Sequence, residues 1–362
     1  MPAQSISGFG PSQANVVRIL KNGYWDRTEV IELADSSRRV RKRTKGATGP
    51  GPWSIRSLRR EIAYLGTLPL TAKQAFPQML HAWDCETEGG PDVGYEMPYF
   101  PDHQDAGVLA RDAKLTQVEI DLFQDHLGSA VIGGLHVADE ADEPLSVHLI
   151  RVVQEAFADL RRDPELVGLI DADRIRLNGE ECWGPRAAFD QIQGSCDALA
   201  ALDTQPTVRL HGDFFLENIL WRGEQASEYQ PRLVLIDPVS VAGVFAGPAV
   251  FDLVKYESYA KGELLALRSA WVEVNGFPSG ESQSYQYRIR WDDEGLRGFR
   301  MYDWHSRFRR AFEAKHGPID VRTYHLIDGY FSVAMAVNTS GAQRHARLLK
   351  ATAEFNAVLG TA

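Results

Sequence analysis

The feature that most constrains this chain is a pair of short apolar runs, residues 208–210 and 233–236, each followed at once by polar residues. The first run leads into a His-Gly-Asp tripeptide that ends at Asp213, with Asn218 five residues later, and the second run leads into Asp237. Short apolar runs of this kind are typical of buried strands. The predicted order is therefore strand, Asp…Asn loop, strand, Asp.

These three polar side chains meet the needs of phosphoryl transfer, which depends on positioning the acceptor hydroxyl and on neutralising phosphate charge with metal ions. A loop carboxylate such as Asp213 can orient the hydroxyl and receive its proton. The amide oxygen of Asn218 can reach a metal from the same loop, and Asp237 can hold that metal against the β- and γ-phosphates. Mg²⁺ favours such sparse oxygen ligation. The alternative is a polar-capped turn beside an unrelated buried Asp.

The same order of motifs occurs in protein kinases, but Gly212 and Pro238 depart from the His-Arg-Asp and Asp-Phe-Gly sequences of that group. The motifs instead resemble the aminoglycoside phosphotransferase and choline kinase superfamily. Its signature is His-Gly-Asp, four residues, then Asn, with an Ile-Asp strand downstream. Residues 247–253 resemble the segment that follows the metal-binding Asp in that family, without its first Asp. The resemblance implies that Asp252 braces the catalytic loop from a helix.

The resemblance implies an α+β, bilobal, protein-kinase-like fold. A small N-terminal antiparallel β lobe with one helix, residues 1–100, would bind the nucleotide. A larger, mostly α-helical C-terminal lobe, residues 101–362, would carry catalysis and bind the acceptor. The residue pattern agrees, because the first hundred residues hold short β-favouring runs and one amphipathic helix at residues 54–68. From Asp105 onward, and again beyond Gly247, the pattern is mostly helical.

A basic strand supplies the expected phosphate cation. Alternation along residues 38–42 puts Val40 and Lys42 on one face. In the kinase Val-Ala-Ile-Lys strand, the lysine and the residue two before it also share a face. The pattern predicts that Lys42 pairs with the phosphates, that Val40 lines the adenine and that Glu61, on the following helix, is the partner of Lys42. A solvated strand and a surface carboxylate are the alternatives. Other candidate phosphate cations are Arg41, Arg43 and Lys45.

Three further features belong to the nucleotide site or the catalytic loop. Gly23 stands alone between two predicted strands, in a reduced phosphate-covering loop or in a plain hairpin turn. The resemblance places the hinge that hydrogen-bonds the purine at Met97, Pro98 and Tyr99, where the end of an edge strand is the alternative. His211 is expected to support the catalytic loop by hydrogen bonding, with direct chemistry as the alternative.

Charge and cysteine content limit the partners and the compartment. The formal net charge of −10 argues against nucleic acid, which needs clustered Lys and Arg. Three cysteines, at 85, 182 and 196, show no CxxC spacing, so neither a disulfide framework nor a zinc site is expected. The N-terminal residues lack the features of a signal peptide, and no apolar run approaches the roughly 18 residues that span a bilayer. We therefore expect a cytoplasmic monomer or homodimer without a membrane partner.

The expected activity is Mg²⁺-dependent transfer of phosphate from ATP or GTP to a hydroxyl of a small molecule. An aminoglycoside, an amino sugar or a related sugar-like compound is the expected acceptor. The alternative function is a catalytically weak, nucleotide-binding regulatory pseudokinase, which the reduced loop around Gly23 would suit. The acidic residues of the C-terminal third that offer contacts to an amino-bearing acceptor are Asp292, Asp293, Glu294, Asp303 and Glu313.

Overall fold

The computed structural model combines an N-terminal antiparallel sheet with a larger, mostly helical C-terminal part, which confirms the predicted α+β class. The described residues are 10–22, 26–44, 52–88, 90–195, 197–223, 231–238, 243–277 and 283–360. Gly23, Lys45 and Cys196 therefore lie outside them. No helix in these ranges combines the length and the apolar character needed to cross a membrane.

The N-terminal sheet has five antiparallel strands in the order β1-β2-β3-β5-β4. Its register places Val40 of β3 opposite Val30 of β2 on one side and Met97 of β5 on the other. Helix α1 packs on this sheet through the spaced apolar residues expected from the sequence, including Leu58 and Ile62, which are buried. The bounds are β1 Asn15–Asn22, β2 Asp26–Glu32, β3 Arg38–Thr44, α1 Pro52–Gly66, β4 His81–Thr87 and β5 Gly90–Pro98.

Short strands in the C-terminal part carry the central motif. The two apolar runs of the sequence are strands, as predicted, but they do not pair with each other: β9 pairs with β12, and β11 pairs with β10. Beyond the ladder of β10 and β11, the Ile236 amide donates to the Asn218 carbonyl at 2.9 Å. This bond brings the end of the Asp…Asn loop next to Asp237. The bounds are β6 Gln104–Asp105, β9 Thr207–Arg209, β10 Ile219–Trp221, β11 Leu233–Leu235 and β12 Ala246–Pro248.

Helices surround these strands, and the long pair α12 and α13 packs together against α4, α6 and α8. The bounds are α2 Ala106–Arg111, α3 Gln117–Gly128, α4 Leu145–Leu160, α5 Pro164–Ile170, α6 Pro185–Ser195, α7 Asp197–Asp203, α8 Val250–Ala260, α9 Glu263–Arg268, α10 Arg297–Met301, α11 Ser306–His316, α12 Val321–Ala336 and α13 Gly341–Leu359. A π-helical turn, Ser129–Leu135, continues α3.

A four-stranded sheet in the C-terminal part departs from the helical pattern expected from Asp105 onward and beyond Gly247. Four strands pair in the order β13-β14-β7-β8, with β14 parallel to β7. Their short length hides them in the sequence: in β7, only Ile175 and Leu177 alternate inward. Pairing of β14 with a strand about a hundred residues earlier is a long-range contact that a local pattern does not reveal. The bounds are β7 Arg174–Leu177, β8 Glu180–Trp183, β13 Val272–Asn275 and β14 Ser284–Ile289.

The N-terminal sheet and the C-terminal part meet across α1. The hydroxyl of Tyr64, on α1, donates to the carbonyl of Leu210 at 2.8 Å, directly before the His-Gly-Asp motif. The sheet ends at Pro98 and β6 begins at Gln104, so the predicted boundary at residues 100–101 falls in the connection between them. The assignment of one function to each side of that boundary stays a prediction.

Candidate active site

The loop that carries the His-Gly-Asp motif is anchored by a buried carboxylate on α8. Asp252 is fully buried, and its two oxygens accept the backbone amides of His211 at 2.7 Å and Gly212 at 2.9 Å. His136 Nε2 lies 3.3 Å from the same carboxylate. Gly212 has a φ of 79°, a conformation that side chains strongly disfavour, which explains glycine between His and Asp. One carboxylate therefore fixes the loop just before Asp213.

A hydrogen bond from Asn218 and an ion pair with Lys255 hold the Asp213 carboxylate in place. Asn218 donates from Nδ2 to the Asp213 carbonyl at 2.8 Å and to its carboxylate Oδ2 at 3.2 Å. Lys255 Nζ lies 3.2 Å from the other carboxylate oxygen, Oδ1. Burial lowers the pKa of Lys255, and the Asp213 carboxylate opposes that shift. The bond from Asn218 and the ion pair with Lys255 orient the carboxylate.

Lys255 is a site residue that the motif reading missed. It lies three residues after Asp252 on α8, so both side chains project from one helical turn toward the same loop. Its ammonium group also lies 4.4 Å from the ring centre of Phe331 on α12. The signal in the sequence was the spacing of Lys after Asp on a helix, but only the packing of α8 shows which loop receives the lysine.

A buried ion-pair network lies where the phosphate cation was expected. Lys42 Nζ lies 2.8 Å from Glu61 and 2.8 Å from Asp237, and Tyr95 donates its hydroxyl to Glu61 at 2.8 Å. Burial opposes the charge of Lys42, but Asp237 and Glu61 outweigh it and raise the pKa of Lys42 well above its usual value. Burial raises the pKa of Glu61 to about 7, although Lys42 pulls it down. The network links β3, α1 and the end of β11.

Asp237 combines strained backbone with a stabilised negative charge. Its φ is 52°, a left-handed conformation that is uncommon for a residue other than glycine and that concentrates at functional sites. Burial alone would raise the pKa of this carboxyl, but Lys42 and then Lys21 lower it to about 2. Lys21 Nζ, on β1, lies 3.4 Å from Asp237. The carboxylate is therefore ionised at neutral pH.

The donor set suits a magnesium ion shared with phosphate oxygens. Asp237 supplies an ionised carboxylate, and both hydrogen bonds of the Asn218 side chain use Nδ2, so they leave its Oδ1 as an oxygen ligand. In the described part of the chain, no group of three or more His, Cys, Asp or Glu side chains could hold a metal. The two oxygens of Asp237 and Asn218 fit Mg²⁺, which binds through one or two protein oxygens together with phosphates and water.

The remaining nucleotide candidates have different environments. Val40 and Met97 are buried neighbours on β3 and β5, whereas Tyr99 is half-buried in the connection after β5. Among the competing basic residues, Arg41 pairs with Glu96 at 2.9 Å and Arg43 pairs with Asp92 at 2.9 Å. Of the basic side chains on β3, Lys42 is the one that contacts Asp237. Gly23 and Lys45 fall outside the described residues.

His211 supports the loop through its backbone and its packing. Its amide donates to Asp252, and its ring lies between Phe76 and Phe214, with ring centres 5.8 and 5.6 Å away. The residue is fully buried, and burial lowers the pKa of the ring. The uncharged imidazole packs against two aromatic rings and so helps to hold the loop in place.

A cavity of about 530 Å³ is lined in part by Lys255, which contacts Asp213 of the catalytic loop. Residues of helices α4 and α12 and residues 243–246 contribute to its lining. Its charged lining residues are the acidic Glu140, Asp142, Glu143, Glu155 and Asp159 and the basic Arg56, Arg60, Arg151 and Lys255. The carboxylates expected from the C-terminal third are not among its lining residues; Asp303, for example, accepts the amides of His305 and Ser306 at the start of α11. Trp304 is buried in the core.

Comparison with known proteins gives one family match and several structural likenesses. Residues 49–255 match the family model described as "Phosphotransferase enzyme family". No curated protein sequence matches the chain. A glucosamine kinase structure aligns at a TM-score of 0.39 and 16% identity, covering 97% of this chain and 94% of that chain. The choline kinase from Cryptosporidium parvum Iowa II aligns at a TM-score of 0.40 and 13% identity, covering 96% of this chain and 88% of that chain. The macrolide 2'-phosphotransferase from Brachybacterium faecium aligns at a TM-score of 0.40 and 14% identity, covering 95% of this chain and 93% of that chain.

Proposed function

Because the chain belongs to the phosphotransferase enzyme family, whose model matches more than half of it, we propose that it transfers the γ-phosphoryl group of ATP or GTP to a hydroxyl of a small molecule. The observation that carries this proposal is the contact of Lys42 with both Glu61 and Asp237, beside a loop that presents Asp213 and Asn218. Residues 1–100 would bind the nucleotide, and residues 101–362 would carry the catalytic loop and bind the acceptor.

Asp213 is the proposed catalytic residue. Its carboxylate accepts the proton of the acceptor hydroxyl as the oxygen attacks the γ-phosphorus, and a positioned base of this kind contributes roughly 10²- to 10⁴-fold in rate. Asn218 and Lys255 position that carboxylate by the contacts at 3.2 Å on each of its oxygens. The Lys255 ammonium also supplies positive charge close to the reacting groups, where negative charge accumulates on the phosphoryl oxygens.

Lys42, Asp237 and Asn218 would hold the triphosphate and its metal. Asp237 and the Asn218 amide oxygen would hold Mg²⁺, which would supply the positive charge that neutralises the phosphates. Lys42 pairs with phosphate oxygens, and Glu61 keeps the lysine in position through its 2.8 Å contact. Val40, Met97 and Tyr99 are proposed to contact the nucleotide base, and Gly23 is proposed for the loop over the phosphates.

The cavity beside Lys255 is the proposed acceptor site. Its volume of about 530 Å³ lies in the range of small-molecule sites. Acidic residues along its wall, such as Asp142 and Glu155, would bind the amino group of an amino sugar or aminoglycoside. This supports the acceptor class expected from the sequence, and the hydroxyl to be phosphorylated would face Asp213.

A coupled assay of ADP or GDP release over amino sugars, aminoglycosides, sugars, sugar acids and amino alcohols tests the proposal. We expect Mg²⁺-dependent turnover with at least one acceptor. Asp213→Ala should abolish turnover while it leaves ATP affinity largely intact, and Asp237→Ala should weaken Mg²⁺-dependent ATP binding. Asp292→Ala, at an exposed site away from the cavity, is the matched control. Undiminished turnover by the Asp213 variant would refute its assigned role.

The pseudokinase alternative makes a different prediction for the same protein. It would bind ATP and Mg²⁺ in a thermal-shift assay without turning over any acceptor. Family membership and the set of Asp213, Asn218, Asp237 and Lys42 favour the active enzyme.

A further inference from the structure

A small alcove adjoins the proposed acceptor cavity. It has a volume of about 20 Å³ and shares Lys255, Phe331 and Met335 with the wall of the larger cavity. The charged residues that line it are Lys255, Arg268, Asp328, Arg347 and Lys350. Four of these five groups are cationic. The alcove is therefore richer in cations than the larger cavity, whose lining includes both acidic and basic residues.

Arg347, on α13, is the group in the alcove whose charge is not matched. Only 2% of the residue is exposed, and within the described residues its Nε and Nη2 atoms have no hydrogen-bond partner. The other cations have carboxylate partners: Lys350 contacts Asp328 at 2.7 Å, Lys255 contacts Asp213, and Arg268 contacts Glu217. A buried charge without a partner is costly, so its presence needs an explanation.

The two unpartnered atoms form one edge of the guanidinium group. This is the edge with which Arg59 binds both oxygens of Asp84, at 2.6 and 2.9 Å, and with which Arg309 binds both oxygens of Glu257, at 2.6 and 2.8 Å. A planar carboxylate matches this fork in geometry and in charge. Burial, together with repulsion from Arg268, lowers the pKa of Arg347 to about 10, so the group still carries its charge at neutral pH.

We propose that Arg347 binds a carboxylate of the acceptor, so that, among the sugar-like compounds proposed as acceptors, the enzyme favours hydroxylated carboxylic acids such as sugar acids over neutral sugars. This inference rests on the proposed phosphotransferase function. Lys255 lines the alcove and contacts Asp213. An acceptor anchored at Arg347 therefore extends past Lys255 toward the proposed base.

The experiment compares acids with their neutral counterparts, glucuronate with glucose and galacturonate with galactose. The quantity measured is the ratio of kcat/KM for the acid to kcat/KM for the neutral sugar. Loss of one partner of a buried, hydrogen-bonded charge pair typically changes binding by roughly 30-fold or more. We expect the wild type to favour the acids by that factor, and Arg347→Met to bring the ratio close to one. Arg347→Lys keeps the charge but loses the fork, so its ratio should lie between the two.

Arg344→Met is the matched control, because Arg344 lies one turn earlier on α13 and pairs with Asp163 at 2.8 Å, outside the alcove. It should keep the wild-type ratio. Arg347→Met should unfold at the same temperature as the wild type or higher, because it removes an unmatched buried charge. Equal use of acids and neutral sugars by the wild type, or an unchanged ratio in Arg347→Met, would overturn the inference and leave the phosphotransferase function intact.

Calorimetric titration of glucuronate in the presence of Mg²⁺ and ADP separates the inference from the activity. If no acceptor is phosphorylated, the proposed function fails. The carboxylate site is then still supported if glucuronate binds the wild type and not Arg347→Met, and it is overturned if glucuronate binds both or neither.

Discussion

Asp252→Asn is the change that most sharply separates loop positioning from chemistry. The Asp252 carboxylate accepts two backbone amides, at 2.7 and 2.9 Å, and is fully buried. An asparagine of the same shape keeps one acceptor oxygen and turns an NH₂ group toward the second amide. One hydrogen bond to a charged group is lost, worth about 1.5–3 kcal/mol, and a buried amide is left without a partner. We expect the free energy of unfolding to fall by about 2–4 kcal/mol.

The effect on catalysis follows from the position of the loop. Release of the amide of His211 or Gly212 allows Asp213 to move, and a misplacement of about 1 Å can cost roughly 10²-fold in rate. Urea unfolding and steady-state kinetics measure the two effects on one preparation. Asp112→Asn, which disturbs only exposed ion pairs with Arg111 and Lys114, is the control and should change the stability by less than about 1 kcal/mol. Wild-type stability and kcat in Asp252→Asn would refute the bracing role.

Three further predictions concern the charged groups around Asp213 and Asp237. Lys42→Met leaves Glu61 and Asp237 buried without their shared cation, so it should destabilise the fold by about 3–5 kcal/mol in urea unfolding. It should also raise the KM for ATP, and an unchanged KM would contradict the role of Lys42 in phosphate binding. The pKa of Asp237 is lowered from 3.8 to about 2, so its charge stabilises the fold above pH 3.8, and that contribution is lost as the pH falls through about 2. A pKa shift of this size corresponds to about 2 kcal/mol of stability. The difference in unfolding free energy between the wild type and Asp237→Asn should therefore shrink by about that amount between pH 6 and pH 2. A difference that does not depend on pH would be evidence against the lowered pKa of Asp237. Lys255→Met should lower kcat by at least about tenfold while the KM for ATP stays within about twofold, since Lys255 contacts Asp213 and is not part of the Lys42 network; equal changes in both constants would place the residue elsewhere in the mechanism.

The sequence predicted the parts of the fold and of the candidate site that depend on local spacing. Asp213 and Asn218 lie on one short loop, so five residues of separation suffice to bring them together. Lys42 could be chosen from a basic strand because alternation puts it on the face of Val40. The helix of residues 54–68 was predictable from its apolar spacing, and the structure places it at Pro52–Gly66.

Residues that reach the site through tertiary packing were not predictable in this way. Lys255 contacts Asp213 only because α8 packs across the catalytic loop. Arg347 reaches the alcove from α13, which lies more than a hundred residues after that loop in the sequence. The acidic wall of the cavity was expected from the C-terminal third, but it comes largely from α4 and the residues before it, including Glu140 and Glu155. Local periodicity shows which face of a helix is apolar and does not show what that face will meet.

Phosphorus NMR of the reaction mixture observes the phosphoryl transfer itself. With ATP, Mg²⁺ and an acceptor from the panel, we expect a phosphomonoester resonance that grows in proportion to ADP in the wild type and does not form with Asp213→Ala. A wild-type protein that binds ATP and Mg²⁺ but forms no phosphomonoester with any acceptor would contradict the phosphotransferase function. A phosphomonoester that forms equally fast with Asp213→Ala would contradict the catalytic role of Asp213.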